Sequence, residues 1–582
     1  MPIVSRATKR EESLNGSKNV AAVTTENAVG ETLYQSKTKF YPLAFDDDGA
    51  MEDFTGGVTE SYDLKDAPDN LYEIIQKGLD AYAMFSCGMD NKPNESGETE
   101  SENSTPEGLI TGHAYSITKA QVVDIETPKF QGKVQLLRVR NPWGNDKEWN
   151  GAWSDQSSEW KFIDDATKRS LGLTFDHDGE FWMSFADFQR YFETIEMCHL
   201  TPDCPIIKQS EGQFKWKTSA FEGEWVKGST AGGNRGFLDT FWRNPQYVID
   251  IAKPEEGKEQ STVIVSLIQK NRRSKKNKGI SCLPIGYILY RVDPSEIQHK
   301  PFDKNFFGTR PHVADSKFII VRENTARFNV EPGTYVIVPS TFYKNEEGEF
   351  MIRVFSESPN KMIENDSAID ISEPQDVDAE EIQKQLVPLE KLFHDVAGED
   401  GEVDWLELKM LLDRCFEDDI AKASEGIRKA YLSGAEDNQE TMLEKAYLAN
   451  SGFSKDACRS MVAMLDADGS GKLGLSEFRK LLADISTWKA IFKQYDEDDN
   501  GHLDPFELRD ALESAGFKLN NRIINKLMHR FASKEGQIWF DDFITCAVKI
   551  RSMFDVFNAK ISNKKKEIFF GLEDWIAQTI YS

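Results

Sequence analysis

The chain has 582 residues, a formal net charge of -28 and a pI near 4.9, which is too long for one hydrophobic core, so about three or four domains are expected. An acidic surface repels phosphate backbones, which excludes nucleic acid as the main partner and favours divalent cations. Seven cysteines with no CxxC pair fit neither a disulfide framework nor a zinc site, and imply a reducing, cytoplasmic setting.

Residues 1–49 show no sustained apolar period and are expected to form a disordered N-terminal segment. They lack the apolar run of a secretory signal, and no stretch of about 18 apolar residues occurs anywhere, so no membrane span is expected. The sequons at Asn94 and Asn103 are read as unmodified. Leu71, Ile74, Ile75, Leu79 and Tyr82 recur at helical spacing over Asn70 to Ala83, after the start signals Pro68 and Asp69. A low-complexity polar stretch, 91–107, leads into two β-rich runs, Ala114 to Val123 and Lys133 to Val139. A hairpin turning near Pro128 would bring His113, at the head of the first run, beside Asn141, at the end of the second. Such a pair fits a structural contact at strand ends. It also fits the base and orienter of a Cys-His-Asn triad, with Trp143 shielding their hydrogen bond.

Over 205–355 short strands with turn punctuation follow one another, which predicts an antiparallel β-sandwich. Its basic run, Lys270 to Lys278, suits either acidic lipid headgroups, an acidic neighbouring domain or a plain solvated hairpin tip. The acidic stretch 356–381 reads as a solvated linker.

From 382 to 582 the chain repeats a helix, acidic loop, helix unit. The loop from Asp466 to Glu477 places Asp466, Asp468 and Ser470 at positions 1, 3 and 5, a turn glycine at 6, the Lys472 carbonyl at 7 and the closing Glu477 at 12. The next loop repeats the pattern with Asp496, Asp498, Asn500, the His502 carbonyl and Glu507. Hard oxygen donors at this spacing wrap calcium. Three further units are degenerate. One begins at Val396, which has no side-chain oxygen; another runs from Phe531 to Asp542; the last, from Asn558 to Trp575, carries lysines where ligands belong. An odd fifth hand leaves an apolar face, so a homodimer or heterodimer through that hand is expected.

Five hands, together with Glu52-Asp-Phe-Thr-Gly-Gly, Gly-His113-Ala-Tyr-Ser, Arg-Asn141-Pro-Trp143-Gly, Asp178-Gly-Glu180-Phe-Trp and Phe221-Glu-Gly-Glu-Trp225, resemble the calpain family from about residue 51 to the C-terminus. The resemblance implies a multidomain α+β chain. Its parts would be a partial papain-like protease subdomain with an antiparallel sheet (50–204), a β-sandwich (205–355), the linker (356–381) and an all-α penta-EF-hand domain (382–582). It also implies a calcium site at Glu148, Asp155, the Asp176 carbonyl, Asp178 and Glu180, and another at the Ala397 carbonyl, Asp400, Glu402 and Glu407. In calpains the nucleophile lies in a Gln-Gly-x-x-Gly-Asp-Cys-Trp motif that this sequence lacks; Cys87, in Phe-Ser-Cys87-Gly-Met, does not replace it. The expected function is therefore a calcium-binding regulatory or interaction protein, inactive by itself, that engages protein substrates or calpain-binding partners. The alternative is calcium-dependent cysteine endopeptidase activity through complementation or an unrecognised thiol. A third reading is a calcium sensor that contacts acidic membrane surfaces.

Overall fold

In the computed structural model the described residues are 50–91, 102–126, 131–144, 147–173, 178–201, 216–253, 259–298, 301–374, 392–416, 452–466, 469–496, 501–560, 571–572 and 575–576. The segment 1–49, Asn94, Asp176, Cys204, Asp468, Asp498, Asn500, residues 375–391 and most of the fifth hand lie outside them.

The first region is built on a six-stranded antiparallel sheet of order β1-β8-β2-β5-β6-β7. Its strands are β1 (Val58–Asp63), β2 (Met84–Met89), β5 (His113–Glu126), β6 (Gln131–Arg140), β7 (Glu180–Ser184) and β8 (Thr194–His199). A short hairpin, β3 (Asn103–Ser104) with β4 (Ile110–Thr111), stands ahead of β5 within the stretch read as a polar loop. Helix α1 (Ala50–Thr55) precedes the sheet. The predicted helix is α2 (Leu71–Asp80), which buries Leu71, Tyr72, Ile74 and Ile75 and ends where Tyr82 turns left-handed. It packs with α3 (Phe185–Tyr191) into one apolar cluster with the sheet residues Tyr115, Ile117, Leu137 and Val139. Each such large side chain, when fully buried, contributes about 1.5–3 kcal/mol. Strands β5 and β6 pair from Ser116↔Arg140 to Glu126↔Gln131, with an irregularity at Thr118, so the head of one strand lies by the end of the other.

The middle region has two antiparallel sheets. One has the order β15-β11-β17-β9, with β9 (Lys217–Trp225), β11 (Ser261–Gln269), β15 (Glu323–Val330) and β17 (Gly348–Ser356). The other has the order β13-β12-β16-β10-β18, with β10 (Tyr247–Ile251), β12 (Pro284–Val292), β13 (Ala314–Asp315), β16 (Gly333–Thr341) and β18 (Asn360–Glu364), and β14 (Ile319–Ile320) on the flank of β12. Val265 and Ile352 of the first sheet share a core with Tyr287 and Ile337 of the second.

One sequence expectation changes here. The stretch 356–381 is not a plain linker: β18 pairs with β10 and buries Met362, and β19 (Asp370–Ile371) pairs with β23 (Phe517–Lys518) of the C-terminal region. Flanking acidic residues hid a strand whose backbone completes a sheet edge. Part of the basic run is engaged within its own region. Lys270 lies 2.8 Å from Glu222, Lys275 lies 3.9 Å from Glu349, and Arg272 donates to the Glu347 carbonyl at 2.5 Å.

The described C-terminal helices are α4 (Trp405–Cys415), α5 (Lys455–Leu465), α6 (Leu475–Tyr495), α7 (Glu507–Ser514), α8 (Asn521–Phe531) and α9 (Phe540–Lys560). Their loops join in pairs through short bridges: β20 (Glu402–Val403) with β21 (Leu473–Gly474), and β22 (His502–Leu503) with β24 (Ile538–Trp539).

Candidate active site and calcium loops

The hairpin delivers His113 and Asn141 to one sheet end, where His113 Nε2 lies 2.9 Å from Asn141 Oδ1. Every polar atom of the Asn141 amide is used. Its Oδ1 also accepts the Trp143 N–H at 3.0 Å, and its Nδ2 donates to the Lys147 carbonyl at 3.2 Å. This fixes the amide orientation, so Nε2 of His113 must be the donor. Asn141 is fully buried, and the Trp143 ring lies over the imidazole at 4.6 Å between centroids, on the solvent side of the pair. Sequence reading missed one neighbour. Glu102, at the head of the β3–β4 hairpin, places Oε1 3.0 Å from His113 Nδ1, the nitrogen that faces away from Asn141. The polar composition of its loop gave no signal for that contact.

Cys87 sits inside β2, opposite Tyr115, and is buried. Burial alone pushes its thiol well above the usual range, the reverse of what an attacking thiolate requires. Cys198 is likewise buried, beside Thr55, and its thiol is also raised by burial.

The acidic residues after Asn141 are only partly gathered. Glu148 Oε1 accepts the Gly179 N–H at 2.9 Å, and Asp178 Oδ1 accepts the Glu180 N–H at 2.9 Å. Glu180 instead turns to the sheet, accepting from the Thr118 hydroxyl at 3.2 Å and lying 3.6 Å from Arg138. Asp155 is half-buried in the turn after Trp153.

The EF-hand loops carry a stricter geometry. Gly401, Gly471, Gly501 and Gly536, each sixth in its loop, have φ of 71°, 75°, 85° and 86°, the left-handed turn that glycine makes at low cost. Asp466 and Asp496 are buried and accept the N–H of Gly471 at 2.7 Å and of Gly501 at 2.9 Å. The closing glutamates Glu407, Glu477 and Glu507 accept the N–H of Asp404, Gly474 and Asp504 at 2.9, 3.0 and 2.8 Å. Ser470, Lys472, His502, Ala397, Asp400 and Glu402 lie in these same loops. Inward-turned carboxylates and a left-handed turn fit a large, hard cation. In the fourth loop burial, followed by the neighbouring Asp541, pushes Asp542 up to about 7.

A His-Asn pair on a sheet end, followed by two antiparallel sheets and paired calcium loops, defines a calcium-binding protein of the cysteine-protease type. The chain belongs to the calpain family. Its residues 44–199 match the calpain family cysteine protease model, 221–355 match domain III of the calpain large subunit, and 440–485 and 487–516 match an EF-hand domain pair and an EF-hand domain. It is 48% identical to Calpain-A of Drosophila melanogaster over 92% of this chain and 71% of that protein. It is 49% identical to Calpain-B of the same organism, over 92% of this chain and 56% of that protein. With the calpain-1 catalytic subunit of Homo sapiens it shares 38% identity over 91% of this chain and 70% of that subunit. The EF-hand regions bind calcium. Among the described residues no helix is long and apolar enough to cross a membrane.

Proposed function

We propose that this chain is a calcium-responsive calpain-family protein that does not cleave peptides by itself. The observation that carries this reading is the Glu102 carboxylate on His113 Nδ1. In a Cys-His-Asn triad the ring nitrogen remote from the asparagine serves the thiol. Here that nitrogen is taken by an oxygen that forms no acyl intermediate. The buried Cys87, with its raised thiol, supports the same reading. We read the middle region as a β-sandwich and the C-terminal region as a penta-EF-hand module. Leu572, Trp575 and Ile576 are exposed and suit a fifth hand that pairs with a second copy or a related chain. Residues Asp466, Ser470, Lys472 and Glu477, then Asp496, His502 and Glu507, with Asp468, Asp498 and Asn500, would hold two calcium ions. Ala397, Asp400, Glu402 and Glu407 would hold a third. Bound calcium supplies charge neutralisation that fixes the loop carboxylates. Glu148, Asp155, Asp176, Asp178 and Glu180 form the corresponding proposal beside the His-Asn pair. A cytoplasmic setting suits the free cysteines.

The test is casein cleavage by the purified full chain with and without calcium. No cleavage is expected; calcium-dependent cleavage blocked by iodoacetamide would overturn the reading.

One observation favours a second function, cysteine endopeptidase activity by complementation. The Asn141 amide is fully bonded and the pair is shielded by Trp143, which is costly polar organisation for a site with no chemistry. Adding a separate fragment that carries a Gln-Gly-x-x-Gly-Asp-Cys-Trp motif would produce cleavage on this reading and none on the first.

A further inference from the structure

The domain III sheet that carries β14 is apolar on its outer face, and only part of that face is covered. Ile288, Tyr290, Val336 and Val338 pack with Phe241 and Phe307 of the short helices Leu238–Phe241 and Lys304–Thr309. Alternate residues of a strand share a face, so the same face continues along β12 to Gly286 and Pro284. There the helical cover stops. Phe318 lies across Gly286, where a Cβ would meet its ring at 3.0 Å. The Phe318 ring is 5.5 Å from that of Phe342, which is 4.9 Å from that of Tyr343. Ile320 stands opposite Pro284 on one side; on the other, the Phe342 N–H donates to the Pro284 carbonyl at 2.8 Å. Ile320, Phe342 and Tyr343 are 59%, 39% and 56% exposed, so a row of large apolar side chains faces solvent.

The row borders a strand edge. β14 pairs with β12, and among the described residues no strand lies on its other side. The Pro284 carbonyl points to Phe342, while those of Tyr287 and Leu289 point the opposite way, to the N–H groups of Ser316 and Val313. By the alternation of an antiparallel ladder Ile285 therefore faces β14, and the N–H and C=O of Ile320 turn outward. An exposed apolar edge of this kind is a template for a further strand. The uncommitted charge around it is positive. Lys317 and Lys344 flank the row and are exposed, and neither makes an ion pair among the described residues. The nearby carboxylates are engaged elsewhere: Asp315 lies 3.4 Å from His312, Glu346 accepts the Tyr343 N–H at 3.3 Å, and Glu347 accepts the Lys227 N–H at 3.2 Å.

We propose that this edge is a docking site for an extended acidic segment of a protein partner, which adds to the sheet as a strand beside β14 and sets an apolar side chain against Phe318, Ile320 and Phe342. An added strand supplies partners for the outward N–H and C=O of Ile320. Lys317 alternates with Phe318 and Ile320 along the chain, so a segment of alternating apolar and acidic residues meets the row with one set and the lysine side with the other. A second copy of the chain fits less well, because pairing edge to edge brings the same lysines together. A bilayer would attract the lysines but leave the outward backbone groups of Ile320 without partners in hydrocarbon.

Fluorescence anisotropy of the full chain with the labelled peptide Glu-Val-Glu-Phe-Glu-Val-Glu tests this. Saturable binding is expected, together with a gain of hydrogen-exchange protection over 313–322. Ile320→Pro removes the outward N–H at an edge position that tolerates proline, and should weaken binding by about fivefold. Lys317→Glu should weaken it by about threefold, and by less at high salt. The same peptide with alternate backbone nitrogens methylated, in either register, keeps every side chain but cannot pair on both edges; the register that blocks the β14 side should bind about tenfold more weakly. No saturable binding up to about 1 mM, equal binding of Lys-Val-Lys-Phe-Lys-Val-Lys, or equal binding of both methylated peptides would each overturn the proposal. Protection of 313–322 by phosphatidylserine vesicles, or by raising the concentration of the chain itself, with none from the acidic peptide would assign the edge to a membrane or to a second copy and overturn it as well.

Discussion

The Lys472 ammonium lies 2.6 Å from the Asp400 carboxylate. One calcium loop thus places a cation on an acidic residue of the loop it pairs with through β20 and β21. The Lys472 backbone carbonyl belongs to its own loop, while its side chain neutralises the neighbour. The ammonium holds the Asp400 carboxyl below its ordinary range. Calcium entering the proposed first-loop site would have to displace it. Lys472→Met is expected to tighten calcium binding there by about two- to threefold, a modest factor because the pair is exposed to solvent. Isothermal titration of the full chain with calcium, at low and high salt, checks this: the gain should shrink as salt rises.

Glu102 occupies the ring nitrogen of His113 that Asn141 leaves free. Neither nitrogen of the imidazole is then open to an electrophile. In Glu102→Ala, Nδ1 is released while the Asn141 contact persists. Carbethoxylation of His113 by diethyl pyrocarbonate, followed by peptide mass spectrometry, should run several-fold faster in that variant. Equal rates would mean that the hairpin carrying Glu102 leaves the ring accessible in solution.

The contact between the protease region and domain III titrates from both sides. Burial, and then the Glu323 carboxylate beside it, push Glu52 up to about 9 from an ordinary 4.5. A carboxyl raised in the folded state contributes stability in full below its unfolded value and loses it as pH rises to the folded one. Glu60 does the opposite. Burial would raise it, but hydrogen bonding to His199 and the charge of Arg327 outweigh burial and hold it at about 2. Its contribution is present above 4.5 and is lost as pH falls through about 2. Glu52→Gln is expected to remove the decline between neutral pH and about 9, a gain on the order of 1–3 kcal/mol at pH 8.5. Thermal melting of wild type and variant from pH 6 to 9 measures it, and parallel curves would contradict the assignment.

What the sequence reveals of this architecture depends on how local each constraint is. The loops from Asp466 and Asp496 are legible because ligand spacing and a turn glycine act within twelve positions. His113 and Asn141 are legible because a hairpin pairs strand ends in a fixed way. Strand Asn360–Glu364 is hidden because its partner β10 lies far upstream and only Met362 faces the core. The hydrogen bond from the Phe506 N–H to the Gly228 carbonyl joins two domains and leaves no periodic trace in either. Glu102 is hidden for the same reason: a single carboxylate in a polar stretch becomes informative only when folding sets it against an imidazole.

Gly179 links the acidic loop to the His-Asn pair. Its carbonyl accepts the Asn141 N–H at 2.8 Å, its own N–H goes to Glu148, and its φ is +85°. A Cβ at this position would meet the Asn141 carbonyl at 2.7 Å and Gly144 Cα at 3.2 Å, backbone atoms that cannot swing aside as a side chain would. Gly179→Ala therefore carries both a left-handed alanine and a displaced Asn141, a cost of about 1–3 kcal/mol. The melting temperature of the first region should fall. Independently of that loss, exchange at the Asn141 amide should accelerate more than exchange at β5 amides remote from it, such as Val123. Uniform acceleration along β5 and β6 would show that the glycine supports the sheet as a whole. Acceleration confined to Asn141 and its neighbours would show that movement of the acidic loop is passed to the histidine's orienting residue through this one hydrogen bond.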